Sequence, residues 1–469
     1  MEWELSINLN YRYSYNFHIW VYIFRIAKYI NRGSGNMDYE RQVEEIVKYF
    51  KTNEKTEDKF KIGVEFEHFV IDKDSLKTIS YYGEKGVGET LKDLESLGYK
   101  GVYEGEYILG LIKGNKNITL EPGSQLELSI NASMDIKDLE KEYLEFLQDI
   151  IPVLEKKNQG LMTTGYHPVT KIDEITLLPK QRYDFMFNYF KTRGTHAHNM
   201  MKGTAALQVS LDFESEEDYK KKFKITNALS PVLYAIFENA YYFEGEPIEK
   251  HNIRSYIWKN CDTFRSGVVE GALDEDFGYR KYAEYILNRP PIFINKDGKE
   301  IYTEHKLVKD VFDPEDYKIE ELEHILTMFF PDVRTKKYVE VRMMDAVPYP
   351  LNFGAIALLK GLLYDEENLE ELYNYVEEIQ IQDVNKAKEE MMNSGLKTTL
   401  KDKTLLEIGK YLVNLAKRGL PVEEKGYLKP LEEILEKGKS PYEITKEKSK
   451  EGKKNSLNWC LLDDLVEVK

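Results

Sequence analysis

Cysteine is scarce: the 469 residues contain two, Cys261 and Cys460, far apart in the chain. Two thiols exclude a disulfide scaffold and a cysteine-based zinc module, and the scarcity suits a reducing compartment, so a cytoplasmic location is expected. Long apolar runs are missing too; none reaches the roughly 18 residues that span a bilayer, and no membrane partner is expected. Positive charge is outnumbered, with 66 Lys and Arg against 82 Asp and Glu and a formal net charge of −16. That balance argues against a nucleic-acid-binding face. No G-x-S-x-G elbow occurs, and neither cysteine has a neighbouring histidine, so covalent nucleophilic catalysis has no support. Core-forming residues, by contrast, are plentiful: 42% of the chain is hydrophobic and 13% aromatic. The chain is long enough for one large catalytic domain or two ordinary ones.

Three regions differ in composition. Residues 1–36 are rich in Tyr, Trp, Phe and Ile and hold two acids, Glu2 and Glu4. Residues 17–30 have the spacing of an amphipathic helix, which reads as a membrane-surface anchor or a targeting segment. The plainer reading, adopted as the expectation, is an N-terminal extension arising from a misassigned start, with the functional chain beginning at Met37. Residues 37–365 alternate short strand-like and helix-like segments and are expected to form the catalytic domain. Residues 366–469 are rich in Glu, Lys and Leu and read as amphipathic helices packed on it. One of these, KTLLEIGKYLVNLAKRG, ends at Gly419, an expected C-cap. Helices are also expected at 135–157 and at 216–243, the second interrupted by Pro231. The lysine-rich stretch 437–454 reads as a solvated tail or linker.

Four segments alternate apolar and polar residues at the two-residue period of a strand. In KIGVEFEHFVID, Ile62, Val64 and Phe66 oppose Glu65 and Glu67. In NITLEPGSQLELSIN, Leu120, Leu126 and Leu128 oppose Glu121, Gln125 and Glu127, with a turn or bulge at Pro122-Gly123-Ser124. In AALQVSLDF, Leu207 and Val209 oppose Gln208 and Ser210; in YVEVRMMDAV, Val339 and Val341 oppose Glu340 and Arg342. A sheet with one face in water is the common explanation. Here, however, the polar faces gather Glu65, Glu67, Glu121, Glu127 and Glu340 and no lysine. Like charges across strands destabilise a sheet, so these acids call for cations. Oxygen ligands without cysteine or a histidine cluster suit a hard ion, and magnesium favours carboxylates together with substrate phosphates.

Anionic substrates also need arginines. Arg254 and Arg265 lie in RSYIW and DTFRSG, and Arg342 is two residues from Glu340 on the same face; each offers a bidentate fork. Other motifs fail. GEKGVGET at 83–90 has P-loop spacing, but Glu89 stands where the lysine is needed, so a glycine-rich mobile loop is expected. His196-Ala197-His198 lacks a third ligand at useful spacing and reads as structural or substrate-lining.

Taken together, IGVEFEHFVI, LEPGSQLELS, QRYDFMFNYF, TAALQVSLDFESEEDYKKKF, IRSYIWKNCDTFRSG and FPDVRTKKYVEVRMMDAVP resemble the plant and proteobacterial glutamate–cysteine ligases. The resemblance runs in order from about Lys61 to Asp365. It implies an α+β fold: a curved antiparallel β-sheet bowl, related to glutamine synthetase and guanidino kinases, with helices outside. It implies ATP-dependent joining of the glutamate γ-carboxylate to the amine of cysteine through a γ-glutamyl phosphate, in a monomer or homodimer. Under the resemblance Glu65, Glu67, Glu121, Glu127 and Glu340 hold two or three Mg²⁺ ions. Arg254 grips the glutamate α-carboxylate, and Arg265 and Arg342 steady the ATP phosphoryl group in transfer. Gln125, Thr195 and Gln208 line the amino-acid pocket, and Tyr256 and Trp258 wall it. Met343-Met344 replaces a Gly-Ala pair and is expected to reshape the amine-acceptor side. A different amine acceptor, or phosphotransfer to a guanidine, is the alternative activity.

Overall fold

A computed structural model describes residues 38–466, so the extension at 1–36 and its helical segment lie outside the described residues. All four alternating segments become strands of one sheet. The strands are β1 (Ile62–Asp72), β2 (Lys100–Glu104), β3 (Tyr107–Lys113), β4 (Lys116–Leu120), β5 (Leu126–Ser133), β6 (Gln159–Met162), β7 (Leu207–Leu211), β8 (Val333–Thr335) and β9 (Val339–Val341). Their order is β8-β9-β7-β1-β5-β4-β3-β2, with β6 paired to the C-terminal half of β1. The pairings are antiparallel throughout. The long strand β1 therefore sits centrally, flanked by β5 and β7, and its Glu65 and Glu67 lie in the middle of the sheet.

The apolar face of this sheet is covered by helices. The helices that matter below are α1 (Tyr39–Thr52), α2 (Val87–Glu95), α3 (Ile136–Glu155), α4 (Gln181–Phe190), α5 (Ile253–Lys259), α6 (Leu351–Leu363), α7 (Leu405–Gly419) and α8 (Pro441–Lys448). Phe66 is buried against Tyr143 of α3 and Phe353 of α6, with ring centroids 4.6 and 5.7 Å away. Leu126, Leu128 and Ile118 on the same face have no exposed surface. Each such side chain contributes about 1.5–3 kcal/mol by burial, so the register that buries this face also fixes which residues line the other one. The helix α3 forms over 136–155 as its spacing predicts, with Leu139, Tyr143, Phe146, Leu147 and Ile150 turned inward.

Three local expectations are corrected. Residues 83–90 are an ordered turn leading into α2: Gly86 is its N-cap residue, and Val87, Leu91 and Leu94 are buried. The stretch 437–454 is not a tail. It contains α8, whose Tyr442 is buried and whose Ser440 donates from its N–H to Glu443. The final segment then returns to the sheet, where Leu462 N–H donates to Leu161 O and Thr163 N–H to Cys460 O. Gly419 does not cap α7; it is the last helical residue, and a Cβ there would meet Gly361 O and Asn368 Nδ2. Its small size permits close approach of α6 and α7. The helical C-terminal region shares one hydrophobic core with the sheet, since Leu412, Leu431 and Leu462 belong to the same cluster as Val64 and Leu128. No helix among the described residues is long and apolar enough to cross a membrane.

Candidate active site

The polar face carries two rows of side chains running across strands. In one, Gln208 on β7 pairs with Glu65 on β1, which pairs with Ser129 on β5. In the next, Glu67 on β1 pairs with Glu127 on β5, which pairs with Thr119 on β4. Glu340 on β9 lies opposite Ser210 of β7 and Arg334 of β8. The turn between β4 and β5 adds Glu121, whose N–H donates to Gln125 O at 2.9 Å. Ser124 takes φ of 72° in that turn, so the turn-or-bulge signal of Pro122-Gly123-Ser124 resolves as a turn.

The carboxylates are held in a desolvated and mutually repulsive arrangement. Burial, then the charges of Glu121 and Glu127, push Glu67 up to about 8. Burial, then Glu127 and Glu340, push Glu65 to about 7. Glu127 is also raised to about 7, by burial and then Glu121, and Glu121 is raised by burial against the pull of Arg182 and Lys180. Glu67 accepts from Ala206 N–H and Gln208 Nε2, both at 2.8 Å, and Glu127 accepts from Thr119 Oγ1 at 2.8 Å. These bonds order the side chains without neutralising them, and the four acids share one face. Among the described residues they do not converge as a closed metal cage.

Glu340 departs from the expected set. Its carboxylate meets Arg334 at 2.6 Å, Arg342 at 2.9 Å and Lys336 at 3.1 Å. Burial would raise it, but these three cations hold it well below the usual carboxylate range. An acid already neutralised by three cations has no need of a metal ion, so Glu340 organises cations instead. The alternation pattern missed Arg334 and Lys336 because they lie on the facing strand and its turn; FPDVRTKKYVEV carries both as a basic cluster six and four residues before Glu340.

The arginines separate into different environments. Arg342 reaches both Glu340 and the Gln208 Oε1, which sits between it and Glu67. Arg254 on α5 is buried and donates to Met343 O at 3.0 Å and Arg342 O at 2.9 Å. It thus clamps the main chain behind Arg342, with Asp345 3.9 Å away. Arg265 is fully buried; it donates to Asp262, Met328 O, Tyr189 and Pro290 O at 2.8–2.9 Å. With four of its five donors bound inside the protein, it is a structural anchor and does not face the acid rows.

Gln125 is likewise a brace. Its Oε1 accepts from Gly123 N–H and its Nε2 donates to Met201 O and Thr204 O, which ties the buried amide to the protein at both ends. Gln208 lies at the centre of the site. Thr195 is exposed and bonded to His196 Nδ1 at 2.8 Å; His196 in turn packs on Tyr256 at 5.1 Å between ring centroids. Trp258 is half-buried against Phe330. Met343 and Met344 have no exposed surface, so they fill the core and do not shape an acceptor pocket. Cys261 and Cys460 are buried and unpaired, and burial pushes both thiols up to about 12. Neither is a nucleophile.

An open row of half-buried acids therefore lies beside a cation-laced strand pair. The sequence profile of glutamate–cysteine ligase family 2 matches residues 61–457. The chain belongs to this family. It is 32% identical over 411 residues to the chloroplastic glutamate–cysteine ligase of Nicotiana tabacum, covering 85% of this chain and 78% of that one. The chloroplastic glutamate–cysteine ligase of Arabidopsis thaliana is 32% identical over 418 residues, with the same two shares. In fold, the chain is similar to the crystal structure of glutamate–cysteine ligase from Francisella tularensis in complex with AMP. The TM-score is 0.55 at 11% identity, covering 86% of this chain and 87% of that one. Family membership accounts for the order of the motifs, and the four strands that carry them form one continuous antiparallel surface, as that order requires.

Proposed function

We propose that this chain joins the γ-carboxylate of glutamate to the amine of cysteine at the expense of ATP, giving γ-glutamylcysteine, ADP and phosphate. The observation that carries this is the half-buried row Glu65, Glu67, Glu121 and Glu127, crowded together with raised pKa values, within a chain of this ligase family. Mutually repelling carboxylates with no lysine in ion-pair contact fit divalent cations, and Mg²⁺ would be held by these four. When bound, Mg²⁺ supplies charge neutralisation for the ATP phosphates.

The γ-carboxylate oxygen of glutamate attacks the terminal phosphorus of ATP, ADP leaves, and the cysteine amine displaces phosphate from the acyl phosphate. Such transfer asks the protein for positioning and electrostatics, with no protein nucleophile. Arg342, fixed by Glu340, Gln208 and the main-chain clamp of Arg254, faces the acids with a charge suited to the transferring group. Thr195, Tyr256 and Trp258 line the approach from the α5 side. Two buried, unpaired thiols support a reducing, cytoplasmic setting, and a monomer or homodimer completes the reading.

Incubating the protein with glutamate, cysteine, ATP and Mg²⁺ and following ADP and the dipeptide tests the proposal. ADP release no greater than in the control without cysteine would sink it.

A further inference from the structure

The sheet that carries the acid rows ends in an open edge, and from it we propose an interaction surface: β2 pairs antiparallel with β2 of a second copy of this chain. β2 is the terminal strand of the sheet order, and its main chain is hydrogen-bonded on one side, to β3. Among the described residues nothing else bonds to the backbone of residues 100–104, so its outward N–H and C=O groups are unpaired. The usual protections of an edge are missing. The strand, KGVYE, has no proline and keeps its charges at its two ends. The irregularity between β2 and β3 falls on β3, where Leu109 is passed over, so β2 itself runs uninterrupted.

The side chains at this edge are apolar and in water. Val102 and Tyr103 of β2 are 43% and 46% exposed, and Leu97, Tyr107 and Ile112 beside them are exposed too. The other seven strands of the sheet carry no exposed large hydrophobic residue. The patch has two faces. Val102 lies in the row of Gly110, Thr119, Glu127 and Glu67, on the acid face. Tyr103 lies on the other face, where its hydroxyl donates to Glu95 of α2 at 2.8 Å. A molecule resting on one face would leave the other uncovered, whereas a strand added at the edge covers both.

Charge sets the occupant. Lys100 makes no ion pair among the described residues, and Glu104 comes only to 4.0 Å from Lys180. When two copies of β2 pair antiparallel about Val102, Lys100 of each lies opposite Glu104 of the other, and the remaining pairs are uncharged. The five-residue strand is thus its own complement, as a two-fold interface requires. One short strand a side is small beside a standard interface, so the dimer should be reversible, with a Kd on the order of 10–100 µM.

Sedimentation equilibrium of the full chain over about 1 to 300 µM is the test, in about 0.15 M salt so that the net charge of −16 on each copy is screened. The expected result is a mass that rises from 55.1 kDa towards twice that value across the series. Lys100→Glu sets like charges opposite each other and should weaken association by roughly tenfold or more, as should Glu104→Lys. The double variant restores opposite charges and should return to within about threefold of the wild type. Val102→Lys puts two lysines face to face on the two-fold axis and should abolish the dimer. If one single variant fails to fold, the other two decide. A chain that stays monomeric throughout overturns the proposal, whatever covers the edge, residues 1–36 included. A dimer that none of the three single variants weakens lies on another surface and overturns it as well, as does a double variant that associates no more tightly than the singles.

Discussion

At the scale of single residues, burial separates side chains that the sequence treats alike. Glu65, Glu67, Glu127 and Glu340 all stood out as acids on a strand's polar face, and that much is legible from alternation. Which of them are compensated is not, because compensation comes from Arg334 and Lys336 on another strand. The arginines show the same limit: the resemblance gives Arg265 and Arg342 the same role, yet one is sealed in the core and the other faces the acids. Glu67→Gln removes a half-buried carboxylate that repels Glu121 and Glu127. The expected outcome is turnover lower by on the order of a hundredfold or more, with a melting temperature equal to or above that of the wild type. Normal turnover would remove Glu67 from the site. Arg265→Lys should do the reverse. A lysine cannot satisfy Asp262, Met328 O, Tyr189 and Pro290 O together, so stability should fall by about 3–5 kcal/mol in denaturant unfolding. Substrate KM values of the folded fraction should stay within about threefold, since Arg265 touches no face of the acid rows.

At the scale of elements, strands with a two-residue period were readable because each has one face that must be buried. The strand boundaries follow from that, and the turn from the Pro122-Gly123-Ser124 signal, where Ser124 takes a positive φ. Glycine was harder to read, because a chain without alignment does not say whether a glycine ends a helix or admits a neighbour. Gly361 and Gly419 admit neighbours: a Cβ on Gly361 would collide with Ala416 O, and one on Gly419 with Gly361 O. Gly361→Ala is expected to cost about 1–3 kcal/mol by forcing α6 and α7 apart. Gly426→Ala, where a Cβ meets nothing within 4 Å, is the matched control and should be neutral or slightly stabilising. Equal melting temperatures for the two variants would refute the close-approach reading.

At the scale of the whole molecule, the boundary near residue 365 marks a change of composition and not a break in the core. The lysine-rich stretch looked like solvent-exposed linker because its few apolar residues are spaced around polar ones. Yet Tyr442 and Ser440 are buried where α8 meets the site-bearing half. The joint is Glu238, whose carboxylate accepts from Ser440 Oγ at 2.7 Å, His251 Nδ1 at 2.8 Å and Asn252 N–H at 2.8 Å. Asn252 takes φ of 53° and is the N-cap residue of α5, the helix that carries Arg254 and Trp258. One carboxylate therefore ties the C-terminal helices to the helix behind Arg342. His251 faces Glu238 and Glu443, with Lys446 opposing them and the Tyr442 ring 4.3 Å away. Burial alone would lower its pKa, but the hydrogen bond and charge of Glu238 outweigh it and raise the pKa above the ordinary 6.5. A histidine raised on folding lends stability that is complete below its unfolded pKa and is lost as pH rises through the folded one. Stability should thus decline from about pH 6.5 upward. Glu65, Glu67 and Glu127 push in the same direction through their own raised values, so the wild-type slope alone decides nothing. The difference does: thermal unfolding at pH 6 and pH 8 should show a smaller drop in melting temperature for His251→Gln than for the wild type, because the glutamine cannot titrate. An identical drop in the two proteins would show that the His251–Glu238 pair is not charged in the folded chain, and that the joint is held by Ser440 and Asn252 alone.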